Sequence, residues 1–142
     1  GGYCLPKDAM QLRSCYVDVP NSLISAIVES NQCRKSFIAD RIKSILPDKG
    51  SVIGAFRLNM KKNSDNSREA SILDIMDSLK NEGYSVIVYE PTLGDDFLPE
   101  YRNIDDLDTF KNMSDLILAN RMSDELDDVV HKVYSRDVYN RD

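Results

Sequence analysis

The chain has 142 residues, of which 42% are hydrophobic and 30% are charged, and its formal net charge is −6. This length fits one domain that can bury its own core without disulfide or metal staples. The acidic balance argues against nucleic acid or an anionic membrane as a partner, and no apolar run approaches the roughly 18 residues of a membrane-spanning helix.

The first segment of the chain has the features of a reactive thiol. Cys4 lies between Gly1-Gly2 and Pro6, and Lys7-Asp8 follows. Pro6 suits the first turn of a helix, and the free N–H groups there, together with Lys7, would favour the thiolate. The alternative is a cysteine that packs as a small hydrophobic residue. The three cysteines of the chain have no metal-ligand spacing, and their odd number favours a reducing cytoplasm over a disulfide framework.

Two helices are predicted next. The first runs from Pro6 to about Tyr16, and the second is capped by Asn21 or Ser22 and reaches Leu46. Apolar residues of the long helix form two groups, which the polar stretch 29–36 separates. A helix buried in one domain would carry a continuous apolar stripe. We therefore expect the first part to pack on another domain or subunit and the second part on the domain that follows.

From Ser51 onward, short apolar strands alternate with helices. The pattern predicts strands at 52–58, 84–89, 115–119 and 133–134, and helices at 67–81, 104–113 and 124–131. Such alternation indicates right-handed crossovers and a mainly parallel sheet with helices on both faces. The predicted fold is an α/β, Rossmann-like three-layer domain at 47–142, preceded by a segment at 1–46 with the cysteine and the long connecting helix.

The turn after the first predicted strand lacks the Gly-x-Gly-x-x-Gly sequence of dinucleotide-binding folds. The domain is therefore not expected to hold a dinucleotide through such a loop. Glu90 ends the second strand, where a Rossmann acid would bind a ribose hydroxyl, and the missing glycines argue against that role. His131 and the acidic runs 105–108 and 124–128 are interpreted as structural or exposed residues.

Two segments resemble a known family. Gly1-Gly2-Tyr3-Cys4-Leu5-Pro6-Lys7-Asp8 resembles the active-site segment of the nucleotide-sugar dehydrogenases, and the stretch FRLNMKKNSDNSRE at 56–69 resembles a second signature of the short bacterial members that oxidise UDP-glucose. The resemblance continues through Tyr-Glu-Pro at 89–91 and Ala-Asn-Arg at 119–121 to the end of the chain. In that family an NAD-binding domain precedes the cysteine motif. The resemblance therefore implies a cytoplasmic C-terminal fragment whose long helix contributes to a homodimer.

The same resemblance implies roles for individual residues. Cys4 would be the nucleophile that forms a thiohemiacetal and then a thioester as UDP-glucose is oxidised to UDP-glucuronate with NAD, and Asp8 would assist hydrolysis of the thioester. The implied substrate contacts are Gly1, Phe56, Arg57 and Lys61, the implied NAD contacts are Lys7 and Arg68, and no metal is implied. The alternatives are solvated lysines at 7 and 61, a helix-dipole role for Asp8, and an ion pair of Arg68 with Asp65 or Glu69.

Three interpretations of the chain's function are compatible with the sequence. The resemblance favours UDP-glucose as substrate, but related enzymes oxidise UDP-N-acetylmannosamine or GDP-mannose by the same chemistry. The competing class is a noncatalytic module that binds a nucleotide sugar or a partner chain. Because the NAD-binding domain is absent from the chain, the fragment alone is expected to be inactive.

Overall fold

The computed structural model describes residues 4–58, 71–92 and 98–137. In chain order the elements are α1 (Cys4–Ser14), α2 (Ser22–Ile45), β1 (Val52–Phe56), α3 (Ser71–Asn81), β2 (Ser85–Tyr89), β3 (Arg102–Asn103), α4 (Leu107–Met113), β4 (Leu116–Ala119), the 3-10 helix η1 (Asp124–Lys132) and β5 (Val133–Ser135).

The five strands form one sheet in the order β3-β2-β1-β4-β5, and each neighbouring pair is parallel. Central strand β1 pairs with β2 on one side, through Ile53 and Val86, and with β4 on the other, through Ile53 and Leu116. The predicted α/β class with a mainly parallel sheet is confirmed. The edge strand β3 was not predicted, because its two residues are too few to show an alternating pattern.

Helices α2 and α3 cover one face of the sheet. Ala39 and Ile42 of α2 and Met76 of α3 are buried there against Ile53 and Val88. Burying apolar side chains of this size stabilises the fold by roughly 1.5–3 kcal/mol for each large side chain. The buried residues of α2, Ala39 and Ile42, lie in its second part, where Phe37 and Ile45 of the predicted apolar group are about half exposed.

Helix α4 and η1 cover the other face. Phe110 of α4 and Leu126 of η1 are both fully buried, and they pack with Phe56 and Ile117 of the sheet. The sheet position beneath Phe110 is Gly54, where an added Cβ would lie 2.2 Å from Ser114 Oγ and 2.6 Å from Phe110 Cζ. Gly54 is therefore required by close packing of the helix on the strand.

Several element boundaries differ from those predicted. Strand β1 ends at Phe56 and not at Leu58, because Arg57 adopts a left-handed conformation with φ of 51°. Helix α4 begins at Leu107 and not at Ile104, because the Asp106 carboxylate accepts the Thr109 N–H at 2.7 Å and caps the helix there. The region after Ser123 forms a 3-10 helix, whereas a helix of ordinary type was expected. The predicted start of α3 at 67–70 lies outside the described residues.

Helix α2 leaves apolar side chains in solvent in both of its parts. Leu23 is 72% exposed and Ile27 43% exposed, and Phe37 and Ile45 are also about half exposed. Asn21 is the N-cap residue of α2, but its side chain accepts the Ser25 hydroxyl instead of a main-chain N–H. Among the described residues, no helix is long and apolar enough to cross a membrane.

Candidate functional site

The carboxyl ends of β1 and β4 meet at the centre of the sheet. From β1 the chain crosses by α3 to β2 on one side, whereas β4 lies on the other side of β1. This is the point at which the strand order reverses, and open α/β sheets bind their ligands in the crevice outside it. The residues that follow β1 and β4 are therefore candidates for a ligand-binding site.

Arg57, the first residue after β1, is held in its left-handed conformation by main-chain and side-chain bonds. Its N–H donates to the Tyr89 carbonyl at 2.9 Å, and its Nη2 lies 2.8 Å from Glu125 Oε2. The guanidinium also lies 5.5 Å from the centroid of the Phe56 ring. Within the described part of the chain, the buried Arg57 Nε has no hydrogen-bond partner. A non-glycine residue with positive φ is uncommon and stores strain that its surroundings must hold.

Leu58, the next residue, has both of its main-chain polar groups bound by side chains. The buried Glu90 carboxylate accepts the Leu58 N–H at 2.9 Å, and Asn120 Nδ2 donates to the Leu58 carbonyl at 3.1 Å. The second Glu90 oxygen accepts the Thr92 hydroxyl at 2.7 Å and the Thr92 N–H at 3.3 Å. The missing glycines argue against a ribose-binding role for Glu90, and its contact with Leu58 was not predicted. No local signal reveals it, since the two partners are 32 positions apart.

A cleft of about 220 Å³ opens beside the ends of β4 and β5, between α2 and α3. Its lining residues are Pro6, Asn31, Arg34, Lys35, Ile38, Ser71, Ile72, Ile75, Leu118, Ala119, Asn120, Tyr134 and Arg136. Three cations thus line one cleft in a chain whose net charge is −6. A concave surface with apolar walls and a few convergent polar groups is the usual form of a small-ligand site. The cations suit a ligand that carries phosphate groups.

The polar groups of the cleft differ in how they are held. Lys35 forms an ion pair with Asp74, and the Arg136 guanidinium lies 5.9 Å from the centroid of the Phe37 ring. The Tyr134 hydroxyl is buried without a hydrogen-bond partner in the ranges that the structure describes. An unpaired buried hydroxyl costs about 1–3 kcal/mol, so a polar ligand or a water molecule in the cleft would be stabilised by it.

Helix α1, which begins with Cys4, contributes Pro6 to the lining of this cleft. Helix α1 begins at Cys4 among the described residues and not at Pro6, and Pro6 itself lines the cleft. The Cys4 side chain is exposed, as a nucleophile must be to reach a substrate. Lys7 Nζ and Asp8 Oδ1 lie 3.1 Å apart, and both side chains are more than half exposed. Of this segment, the structure thus places Pro6 in the cleft lining, and the roles of Cys4, Lys7 and Asp8 stay predictions.

Of the other predicted site residues, Phe56 lies in the described part of the chain, whereas Gly1, Lys61 and Arg68 do not. The Phe56 ring is buried at 3% exposure, and it stacks on Tyr89 with 5.6 Å between the ring centroids. Because the ring of Phe56 lies in the core, only its main chain is available to a ligand at the end of β1. Burial, followed by the charge of Glu125, raises the pKa of Tyr89, so this tyrosine stays protonated in the stack. Gly1, Lys61 and Arg68 lie outside the described residues, and their roles stay predictions.

The described ranges also contain no group of three or more histidine, cysteine, aspartate or glutamate residues that could hold a metal ion.

The sequence matches a protein-family model described as the UDP-glucose/GDP-mannose dehydrogenase family, UDP binding domain, over residues 54–141. The chain is 47% identical over its whole length to a UDP-glucose 6-dehydrogenase from Streptococcus pneumoniae, of which it covers 35%. It is 43% identical, again over its whole length, to a UDP-glucose 6-dehydrogenase from Campylobacter jejuni, of which it covers 36%. The chain thus spans about a third of the length of these curated relatives.

Two solved structures share the fold. A ternary complex of GDP-mannose dehydrogenase from Pseudomonas aeruginosa matches 95% of this chain with a TM-score of 0.76 and 22% identity, and the match covers 35% of that chain. A UDP-glucose dehydrogenase from the archaeon Pyrobaculum islandicum matches 84% of this chain with a TM-score of 0.73 and 19% identity, over 29% of that chain. At these identities the likeness establishes the fold.

Proposed function

Because the chain belongs to the UDP-glucose/GDP-mannose dehydrogenase family, we propose that it is the C-terminal, nucleotide-sugar-binding part of an NAD-dependent UDP-glucose 6-dehydrogenase. The observation that carries the proposal is the cationic cleft beside the ends of β4 and β5, with Pro6 of the Cys4 segment in its lining. The whole enzyme is proposed to be a cytoplasmic homodimer with α2 at the interface. The exposed apolar side chains of Leu23 and Ile27 support that position for the helix.

The cleft is proposed to bind the phosphate groups of the nucleotide sugar. Arg34 and Arg136 would supply positive charge, and the Tyr134 hydroxyl would gain the hydrogen-bond partner that it lacks in the described structure. The main chain of Phe56, together with Gly1, Arg57 and Lys61, is proposed to complete the substrate contacts. UDP-glucose is favoured as substrate because two relatives that match the whole chain, at 47% and 43% identity, are UDP-glucose 6-dehydrogenases.

NAD would be held mainly by residues outside this chain. Strand β1 runs directly into Arg57 and Leu58, without the glycines that let a pyrophosphate approach the main chain. Lys7 and Arg68 are proposed to contact the edge of the cofactor from this chain. Bound NAD would supply the chemistry of hydride acceptance, with two molecules used for each sugar oxidised.

Cys4 is proposed to hold the sugar between the two oxidations. Its thiolate sulfur adds to the carbonyl carbon of the C6 aldehyde, and the new carbon–sulfur bond gives a thiohemiacetal whose oxygen carries the negative charge. Loss of a hydride from that carbon, which NAD would accept, re-forms the carbonyl group and gives a thioester. Asp8 then accepts a proton from a water molecule that attacks the thioester carbon. The carbon–sulfur bond breaks, and the products are the C6 carboxylate and the Cys4 thiolate.

The test measures NADH formed per UDP-glucose consumed by the full-length enzyme, with UDP-N-acetylmannosamine and GDP-mannose assayed beside it. We expect two NADH per UDP-glucose, no turnover of the other sugars, and no NADH from the present chain alone. Turnover of another sugar would keep the mechanism and change the substrate. Binding of UDP-glucose without turnover of any sugar would instead favour the noncatalytic module.

Cys15 and Cys33, which are exposed as Cys4 is, provide matched controls for the nucleophile. Cys4→Ser should abolish formation of the acid, because a hydroxyl at this position is a poorer nucleophile and a poorer leaving group than a thiolate. Cys15→Ser and Cys33→Ser should leave the rate unchanged. Undiminished acid formation by Cys4→Ser would refute the assignment.

The cleft assignment has its own control pair. Arg136→Ala should raise the Kd for UDP at least tenfold, as measured by titration calorimetry, because it removes a cation from the cleft lining. Arg102→Ala, an exposed arginine on the edge strand β3 that does not line the cleft, should leave the Kd unchanged. Equal effects of the two substitutions would show that the cleft is not the phosphate site.

A further inference from the structure

We propose that Glu90 is a positioning residue for nucleotide binding, because its carboxylate fixes the main chain at the point where it leaves β1. The inference rests on the proposed function. Together with Asn120, Glu90 forms a clamp on Leu58, and the term "Leu58 clamp" refers here to these three residues.

The Leu58 clamp acts on a strained part of the backbone. Arg57 has φ of 51°, a conformation that a non-glycine residue adopts only when its surroundings hold it there. The Glu90 carboxylate accepts the N–H of the following residue at 2.9 Å, and Asn120 Nδ2 binds that residue's carbonyl at 3.1 Å. Both main-chain groups of Leu58 are thus fixed by side chains from the ends of β2 and β4.

The clamp is connected to the candidate ligand cleft. Asn120 donates to the Leu58 carbonyl and also lines the cleft. Glu90 does not line the cleft and is only 4% exposed, so it has no direct route to a ligand there. Its effect on binding must therefore pass through the main chain that it holds, which makes it a positioning residue.

A carboxylate is required at this position because both of its oxygens accept hydrogen bonds. One oxygen takes the Leu58 N–H, and the other takes the Thr92 N–H and hydroxyl. The amide of a glutamine offers one acceptor oxygen and an NH₂ group, so Glu90→Gln would set two N–H donors against each other on one side. The substitution keeps the shape of the side chain, but its single acceptor oxygen can hold either Leu58 or Thr92 and not both.

The chain contains a matched control at the opposite end of the same strand. Asp115 Oδ2 accepts the Val52 N–H at 2.7 Å, at the amino end of β1 and away from the candidate site. Asp115→Asn makes the same change from carboxylate to amide, and its remaining oxygen can still accept that one N–H. If Glu90 had only a general structural role, the two substitutions would change ligand binding equally.

The experiment titrates UDP into the chain and its variants by calorimetry and records thermal unfolding of each without ligand. We expect Glu90→Gln to raise the Kd for UDP at least tenfold and Asp115→Asn to change it less than twofold. In the full-length enzyme, Glu90→Gln should raise the KM for UDP-glucose and leave its KM for NAD unchanged. If Glu90→Gln does not fold, Thr92→Val removes only the hydroxyl bond to Glu90 Oε1 and should raise the Kd severalfold.

The outcomes separate the clamp from the proposed function. If the wild type binds UDP and both Glu90→Gln and Thr92→Val leave the Kd unchanged, the positioning role of Glu90 is refuted and the proposed function is kept. An equal loss of affinity in Glu90→Gln and Asp115→Asn would also refute the positioning role, because a general effect of stability would then explain both. No binding of UDP by the wild type would refute the proposed function, and the positioning role with it.

Discussion

Replacing Gly54 by alanine tests whether the sheet and α4 pack as closely as the structure shows. An alanine Cβ at this position would lie 2.2 Å from Ser114 Oγ and between 2.6 and 2.7 Å from two atoms of the Phe110 ring. Each of these neighbours would have to retreat by about 1 Å to reach an ordinary contact of 3.4 Å. The substitution therefore adds atoms where the fold has no space for them.

Neither neighbour has room to retreat. Phe110 is completely buried, and its ring lies 5.5 Å from the centroid of Tyr89 and 6.4 Å from that of Phe56. The Ser114 hydroxyl donates to the Phe110 carbonyl at 2.8 Å, so moving it breaks a buried hydrogen bond. Overpacking of a core costs about 1–3 kcal/mol and occasionally more, whereas replacing a glycine by alanine gains at most about 1 kcal/mol from the unfolded chain. The steric cost is larger than this gain, and we expect a net loss of about 1–2 kcal/mol.

The assay is urea and thermal unfolding followed by circular dichroism. A loss of this size should lower the Tm by roughly 5 °C in a domain of this length. Gly50→Ala is the matched control, because its Cβ would meet only the Asp48 side chain at 3.3 Å and should change the stability by less than about 0.5 kcal/mol. Phe110→Leu should partly rescue Gly54→Ala, with a favourable coupling of about 1 kcal/mol. Wild-type stability of Gly54→Ala, or strictly additive costs in the double variant, would refute the packing argument.

Three further predictions concern stability. Leu126→Ala should destabilise the fold by about 2–5 kcal/mol, because it leaves a cavity at a fully buried position; Val130→Ala, at a 55% exposed position on the same element, is the control, and equal losses would contradict the assigned core. Tyr101→Phe should cost about 1 kcal/mol or more in urea unfolding, because it removes the hydroxyl that donates to Asp77; an unchanged midpoint would show that this bond is not formed. Hydrogen bonds from Thr109 lower the pKa of Asp106, and those from Lys111 lower the pKa of Asp128. Because both pKa values are lower in the folded chain, these carboxylates stabilise it above their unfolded pKa near 4, and the stabilisation should disappear as the pH falls through the folded values. Asp106→Asn combined with Asp128→Asn should flatten the decline in Tm between pH 5 and pH 2, and an unchanged slope would count against both assignments.

Periodic burial explains why most of the fold could be predicted from the sequence. Strands such as 84–89 are continuous apolar runs between polar turns, and α3 shows one apolar face, so each element has a signal within a short window. Boundaries set by one hydrogen bond could not be predicted in this way. The cap at Asp106 shortened α4, and the left-handed residue Arg57 shortened β1.

The candidate site was only partly accessible to the same reasoning. Cys4, Lys7 and Asp8 form a local motif, so their type and order were visible in the sequence. Arg34 and Arg136 line the same cleft although about 100 positions separate them, and only the fold brings them together. The Glu90 contact with Leu58 has the same character, since it joins the ends of two different strands.

The hydrogen bonding of Leu58 also gives a physical reason why the domain would not hold a dinucleotide as a standard Rossmann fold does. In that fold, the residues after β1 offer free N–H groups to the pyrophosphate, and glycines let it approach. Here the Leu58 N–H is already bound to the buried Glu90 carboxylate. A pyrophosphate at this point would lie beside another negative charge in a region of low dielectric, where repulsion is strong. Three cations, Arg34, Lys35 and Arg136, instead line the cleft beside β4 and β5, so an anionic ligand is attracted to that side of the switch point.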